Sequence, residues 1–520
     1  MRPQSQSKPA ASKASPSAMP HVLDGSSPAT ASAPALPPAA AHVPNEEFFG
    51  SRIQRTMTLL AKSTPTRSYP VRILFYGQSI VTTGWTPMVE AELRSRYPLA
   101  DLTVENRAIG GFGMEMLARP AVHDVYPFYP DLIVHLVYGG TKDGRLERFI
   151  QDIRRNTTAE IMLITHQMLP VQEKGDDDSS DHFAYLCQKY NCELVDLRAE
   201  WKQYMKDHSV QTQQLLRDRT HPNGEGNKLI AAAVLRHFRC SLLFPSSWYD
   251  TVRTCDAKRS LDEGEQANEA ILSGKWKASG SAAWSDSPDS SLKLTFEGNR
   301  VDIVTGWLNG KDFSPATMSA APTAATKNAK ASAPKPQLPK IGTARVLIDG
   351  QPPSANPMLY AITRPSPTPG IWFPGVRRVG HDKPLLIEDW TLHVKGLSDD
   401  AAEFTYEVVG SRTGPDGQGD GRDIFVSKSG RVVIDPRDFS FRQTRGVLKK
   451  PLPESFEVTW KVVPMFEDVY SPIQLEDSGP VHRVTVAQGL TNARHTIEVI
   501  PNGDGAVPIE SIEVYRPPLR

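Results

Sequence analysis

The chain has 520 residues, enough for two or three domains, and its 39% hydrophobic content is that of ordinary globular cores. Lys plus Arg and Asp plus Glu both number 59, so no global field favours nucleic acid or an anionic membrane surface. Its four cysteines, Cys187, Cys192, Cys240 and Cys255, are too few and too unevenly spaced for a disulfide framework or a zinc site.

The cysteines read as buried thiols, with a Cys240 to Cys255 bridge left open for an exported protein. No run approaches the 18 apolar residues that cross a bilayer, so the expectation is a soluble protein without a transmembrane segment. Residues 1–45 scatter Pro and Ser through every weakly apolar window. That pattern predicts a low-complexity tail without a signal-peptide core and leaves the compartment open.

After the tail a lead-in, "NEEFFGSRIQRTMTLLAKST", carries spaced apolar residues and predicts a helix packed on the domain after it. Strand and helix patterns then alternate. "VRILFYG", "DLTVENRAIGG", "DLIVHLVYGG", "AEIMLITHQ" and "CELVDLR" read as strands. "WTPMVEAELRSRY", "GRLERFIQDIRRNT", "SDHFAYLCQKYN" and "GNKLIAAAVLRHF" read as helices. This alternation predicts a three-layer α/β domain with a mostly parallel sheet over 46–240, whose sites belong in loops at the carboxyl ends of the strands.

Residues 241–275 read as a connecting segment. From 276 to 520 short alternating runs such as "SLKLTFEGNRVDIVTG", "WTLHVKGL", "FEVTWKVVP" and "RHTIEVIP" predict an antiparallel β-sandwich or jelly roll. The Ala-, Pro- and Lys-rich stretch 314–340 has too few large apolar groups to offset the entropy of ordering and reads as a disordered insertion.

Chemistry concentrates at two places in the first domain. "FYGQSI" puts Ser79 on a tight turn just after the first strand, where a nucleophile would be exposed. "DRTHPNGEGN" puts Asp218 three residues before His221 at a helix entrance. A serine hydroxyl needs a histidine to take its proton, and the histidine needs a carboxylate to fix its tautomer. The bland readings are a turn serine and an Asp that caps the helix. His166, at the end of "EIMLITHQ", is a candidate for substrate contact, whereas His135 within a strand run reads as core. No His, Cys and carboxylate cluster has metal-ligand spacing, and neither a metal nor a cofactor is expected.

On "FYGQSI", "NRAIGGFG" and "DRTHPNGEGN" the chain resembles the SGNH or GDSL-type hydrolases over about residues 70 to 240. The resemblance implies a flavodoxin-like α/β/α fold and an esterase with Ser79 as nucleophile, His221 as general base and Asp218 orienting it. Backbone N–H groups of Ser79 and Gly111 would form the oxyanion hole. Two departures stand out. Gly77-Gln78-Ser79 replaces Gly-Asp-Ser, a form that also looks like sialate O-acetylesterase-type members. Gly140-Thr141-Lys142-Asp143 stands where the family has Gly-x-Asn-Asp, so the amide donor to the oxyanion is missing. Thr141, Lys142 or the Gln78 amide are the candidate replacements, and Gln78 and His166 are the candidate substrate-binding residues.

The closing "IEVIPNGDGAVPIESIEVYRPPL" looks like the last strand pair of a galactose-binding-type jelly roll. Trp372 and Trp307 lie in loop-like sequence, where they either stack sugars or pack into a core. The expected substrate is a small-molecule or carbohydrate ester, through an acyl-enzyme on Ser79, with no nucleic-acid partner and no prediction of oligomeric state. The competing readings are a degenerate hydrolase scaffold carrying a glycan-binding sandwich, and a lipase or thioesterase on the same triad.

Overall fold

The computed structural model describes residues 46–172, 180–241, 251–263, 270–313, 338–368 and 370–519. The expected tail, 1–45, and nearly all of the expected insertion, 314–340, lie outside the described residues.

The first half is built on five parallel strands: β1 (Pro70–Gly77), β2 (Asp101–Asn106), β3 (Leu132–Leu136), β4 (Glu160–Ile164) and β5 (Glu193–Val195). They lie in the order β2-β1-β3-β4-β5. Alternation along β1 makes the layers. Val71, Ile73 and Phe75 point into one core, with the helices Gln54–Lys62, Trp85–Arg96 and Gly224–Leu235. Leu74 and Tyr76 point into the other, against the helices Arg145–Asn156 and Ser180–Tyr190. In Arg145–Asn156 the buried residues Leu146, Phe149, Ile150 and Ile153 recur at helical spacing while Arg145, Arg148 and Arg155 are exposed.

The lead-in belongs to this domain. Glu160, at the start of β4, accepts hydrogen bonds from the N–H groups of Arg55 (2.9 Å) and Thr56 (2.8 Å), satisfying the first turn of the helix Gln54–Lys62. Glu193 does the same for Gly50 (2.7 Å) and Arg52 (3.0 Å). The chain leaves β1 for β2 on one side and returns to β3 on the other, so a crevice opens at the carboxyl ends of β1 and β3.

The second half is antiparallel and is built around two separate cores. One sheet has the long strands Arg483–Pro501 and Ser291–Thr305 at its centre, flanked by Ala344–Ile348 and Val507–Tyr515. Val252–Asp256, from the segment read as a connector, pairs with Val507–Tyr515 and thus belongs to this sheet. Between Ala344–Ile348 and Val469–Tyr470 the chain builds a second sheet, centred on Phe456–Pro464 and Asp389–Lys395. There Trp390 and Trp460 sit opposite each other in register with ring centroids 6.5 Å apart, both fully buried. Among the described residues Cys187, Cys192, Cys240 and Cys255 form no disulfide with one another, and Cys240 is the exposed one.

Both antiparallel bodies pack on the α/β domain through apolar contacts, Phe373 in its core and Val252 and Tyr515 against Tyr129, and through polar ones. Arg364 grips Asp124 with three hydrogen bonds of 2.8 to 3.0 Å. His123 bonds the Ile362 carbonyl through Nδ1 (2.9 Å) and accepts the Val379 N–H at Nε2 (3.1 Å). The Tyr129 hydroxyl donates to Asn299 Oδ1 (2.7 Å).

Candidate active site

β1 ends at Gly77, where nothing larger fits: an added Cβ would run into the Leu136 carbonyl of β3. The side chain of Gln78, the next residue, is buried. With the amide oriented so that its nitrogen faces the Phe112 carbonyl and its oxygen the Tyr138 N–H, the assignment that satisfies both groups, it donates to the former (2.8 Å) and accepts from the latter (2.9 Å). Gln78 thus ties the end of β1 to the glycine loop and to the loop after β3, with one of its two N–H donors engaged there. Ser79 opens a short 3-10 turn, Ser79–Thr82, and its carbonyl accepts the Thr82 hydroxyl (2.7 Å).

The histidine comes from the turn before the last helix of the α/β domain. Asn223, not Asp218, caps that helix by accepting the Gly226 N–H (3.0 Å). The Asp218 carboxylate turns to its own loop. Oδ1 accepts the N–H groups of Thr220 and His221, both at 2.8 Å, and Oδ2 lies 2.9 Å from His221 Nδ1. His221 Nε2 then lies 2.9 Å from Ser79 Oγ. The structure therefore brings Ser79, His221 and Asp218 into one hydrogen-bonded chain.

Two amides hold this turn. The fully buried Gln167, just past β4, donates to the Thr220 carbonyl (2.7 Å). Asn227 accepts the Trp85 N–H (3.2 Å) and so joins the histidine's helix to the helix after the serine turn. Side-chain exposures of 25% for His221 and 49% for Asp218 leave the chain open to solvent. Burial pushes the Asp218 carboxyl up, but the backbone N–H groups of His221 and Thr220 and the imidazole outweigh it and hold the group at about 2. The carboxylate is ionised at neutral pH. It therefore selects the imidazole tautomer with its proton on Nδ1, leaving Nε2 to accept from the serine.

Gly111 adopts φ +77°, the left-handed region. The loop is fixed by Ile109 N–H to the Gly77 carbonyl (2.8 Å) and Phe112 N–H to the Ile109 carbonyl (3.2 Å). Among the described residues the N–H groups of Ser79 and Gly111 donate to no protein group. In the loop after β3, Gly139 and Gly140 are also left-handed, Thr141 is half-buried and Lys142 exposed. Asp143 accepts the Arg145 N–H (3.1 Å). Neither Thr141 nor Lys142 is brought into hydrogen-bonding contact with Ser79.

His166 is buried, its ring 4.2 Å from that of Tyr138. Arg198 donates to its Nδ1 (2.6 Å) and to its carbonyl (3.1 Å), which makes Nε2 the protonated nitrogen. His135 is core, its Nδ1 bonded to the Tyr76 carbonyl (2.9 Å). Sequence reasoning missed Gln167 and Arg198, which announce themselves only by position after a strand. Among the described residues no group of three His, Cys, Asp or Glu side chains could hold a metal ion. Trp307 is half-buried and tied to the Glu476 carbonyl (3.1 Å), whereas Trp372 is 50% exposed.

No family model matches the chain, and no curated protein matches it in sequence. Part of it is similar to solved structures. One is an acetylxylan esterase from Geobacillus stearothermophilus, 20% identical over 34% of this chain and 96% of that one, with a TM-score of 0.30. Another is an α/β hydrolase from the metagenome of Lake Arreo, Spain, 19% identical over 33% of this chain and 95% of that one, with a TM-score of 0.29. A third is described as a putative GDSL-like lipase from Parabacteroides merdae, 16% identical over 34% of this chain and 98% of that one, with a TM-score of 0.30.

Proposed function

We propose that the chain is a serine esterase of SGNH type that hydrolyses a carboxylic ester, with a short acyl group, acetyl above all, on a carbohydrate as its substrate. One observation carries the reading: Ser79 Oγ, His221 and Asp218 form a continuous chain of hydrogen bonds, each 2.9 Å, at the carboxyl end of a parallel sheet. Ser79 Oγ attacks the ester carbonyl carbon while its proton passes to His221 Nε2. The imidazolium is held by Asp218 through Nδ1. The tetrahedral oxyanion faces the N–H groups of Ser79 and Gly111. When the C–O bond breaks, His221 returns the proton to the departing alcohol oxygen. Water then attacks the acyl-enzyme, giving its proton to His221, and Ser79 leaves reprotonated with release of the free acid.

The third oxyanion donor is the weak point of the machinery. One such donor is worth about 2.7 to 4 kcal/mol of transition-state stabilisation. The candidates are the second N–H of the Gln78 amide, whose first is engaged with Phe112, and the side chains of Thr141 and Lys142, which would have to swing inward when substrate binds. Purified full-length protein is expected to hydrolyse p-nitrophenyl acetate, and Ser79→Ala to lower kcat by about 10⁶-fold while the melting profile is kept. Equal rates for the two proteins would overturn the assignment of the nucleophile.

A further inference from the structure

The paired glycines of "IGG" have an explanation that comes from the far end of the chain. A Cβ on Gly110 would come within 2.8 Å of Trp372 Nε1, and a Cβ on Gly111 within 2.9 Å of Phe373. Both aromatic residues belong to the second antiparallel body, yet they lie against the loop whose Gly111 N–H faces the oxyanion in the proposed reaction. Phe373 is 1% exposed and is a member of the α/β domain's own core, its ring 4.9 Å from Phe112. Trp372 rides on that anchor with its ring centroid 5.6 Å from Phe373, and half of its surface stays in water. Keeping a large aromatic half-exposed beside a reactive loop forgoes the stabilisation that burial would give. Its neighbour is buried to hold it there.

The loop that Trp372 covers, and the loop after β3 that Gln78 ties to it, select a ligand class. No large hydrophobic side chain is exposed in the loops 107–115 and 137–145. What they expose instead is hydrogen-bonding groups: Glu115, Asp143 and Arg145, with Arg145 Nη1 3.7 Å from Glu115 and Arg145 Nε 3.4 Å from Asp143. A fatty acyl chain needs a continuous apolar lining. A pyranose ring needs one flat apolar surface for its C–H face and polar partners for its hydroxyls.

We propose that Trp372 is the stacking surface of a sugar subsite beside Ser79, so that the second antiparallel body completes the active site and sets its preference for esters of carbohydrates. This rests on the esterase reading, and the experiment separates the two. Steady-state kinetics of the full-length protein, Trp372→Ala and Trp372→Tyr are compared on a partly acetylated xylo-oligosaccharide and on p-nitrophenyl acetate. In Trp372→Ala the ratio of kcat/KM for the oligosaccharide to that for the small ester is expected to fall about tenfold, through KM, and Trp372→Tyr to restore most of it. An unchanged ratio, or a loss that Trp372→Tyr does not repair, overturns the subsite. Should the unsubstituted protein hydrolyse neither ester, the nucleophile assignment fails instead. The subsite is then read by calorimetric titration of the same three proteins with the deacetylated oligosaccharide, where the same tenfold weakening of binding supports it and equal or absent binding overturns it.

Discussion

His221 Nε2 lies 2.9 Å from Ser79 Oγ although 142 positions separate the two residues. The helix that follows the serine turn and the last helix of the domain are tied together close by. Asn227 on that helix accepts the N–H of Trp85, six residues after the serine.

Asp218 tests whether this contact is poised for catalysis. With the group held at about 2, the carboxylate stays charged through the whole range in which esterases are assayed. Asp218→Asn is expected to lower kcat by about 10⁴-fold, because an amide oriented to accept the backbone N–H groups no longer enforces the Nδ1–H tautomer. For the parent enzyme, no limb of the pH–rate profile above about pH 3 should belong to Asp218, since a lowered carboxyl loses its charge only as pH falls through its folded value. Steady-state kinetics from pH 4 to 9 on both proteins checks this.

Gln78 is a positioning residue by its geometry. Its two hydrogen bonds join the serine turn, the glycine loop and the loop after β3. Gln78→Ala removes both and leaves the buried Phe112 carbonyl and Tyr138 N–H without this partner, at a cost of about 1–3 kcal/mol. Gln78→Glu keeps the acceptor for Tyr138 and loses the donor to Phe112. The expected order of kcat is parent, then Gln78→Glu, then Gln78→Ala, with KM for p-nitrophenyl acetate changing less than kcat.

The serine, histidine and aspartate were legible because their signals are local. A Gly-x-Ser turn after an apolar run and an Asp three residues before a His are short-range patterns, and the strand–helix alternation that frames them has two clear periods. The bland alternative, Asp218 as the helix cap, is not what the structure shows: Asn223 takes that role through the Gly226 N–H, a contact no local pattern announced. The division of the antiparallel half into two cores was not legible, since a period of two says which face a residue takes and not which sheet its strand joins. Nor does any local pattern tell that Trp372 and Phe373 meet Gly110 and Gly111. The doubled glycine was the trace of that contact, and it reads equally as a tight turn.

The pair Arg364 and Asp124 fixes the second antiparallel body to the α/β domain. Asp124 is buried and Arg364 keeps 26% of its side chain exposed, so Asp124→Ala should cost about 3 kcal/mol, the low end of the range for breaking a buried pair. Chemical denaturation of the two proteins measures it, and the loss should change little between low and high salt.

His123, at the same interface, predicts an acid sensitivity. Burial lowers its imidazole to about 3 from an ordinary 6.5, and the nearby Arg378 and Arg364 push the same way against the Ile362 carbonyl. Because the unfolded chain binds the proton first, stability falls as pH drops from about 6.5 toward 3 and is regained above that window. His381 is the other titratable neighbour, and Asp124 the nearby carboxylate. Melting temperatures at pH 7 and pH 5 should converge in His123→Gln relative to the parent protein.

The central claim is most directly tested by labelling the native full-length protein with a fluorophosphonate and locating the adduct by peptide mass mapping. One modification is expected, on Ser79, lost when the protein is unfolded before labelling and strongly reduced in His221→Ala. Native protein that stays unlabelled at Ser79, or that is labelled there equally with and without His221, would contradict it.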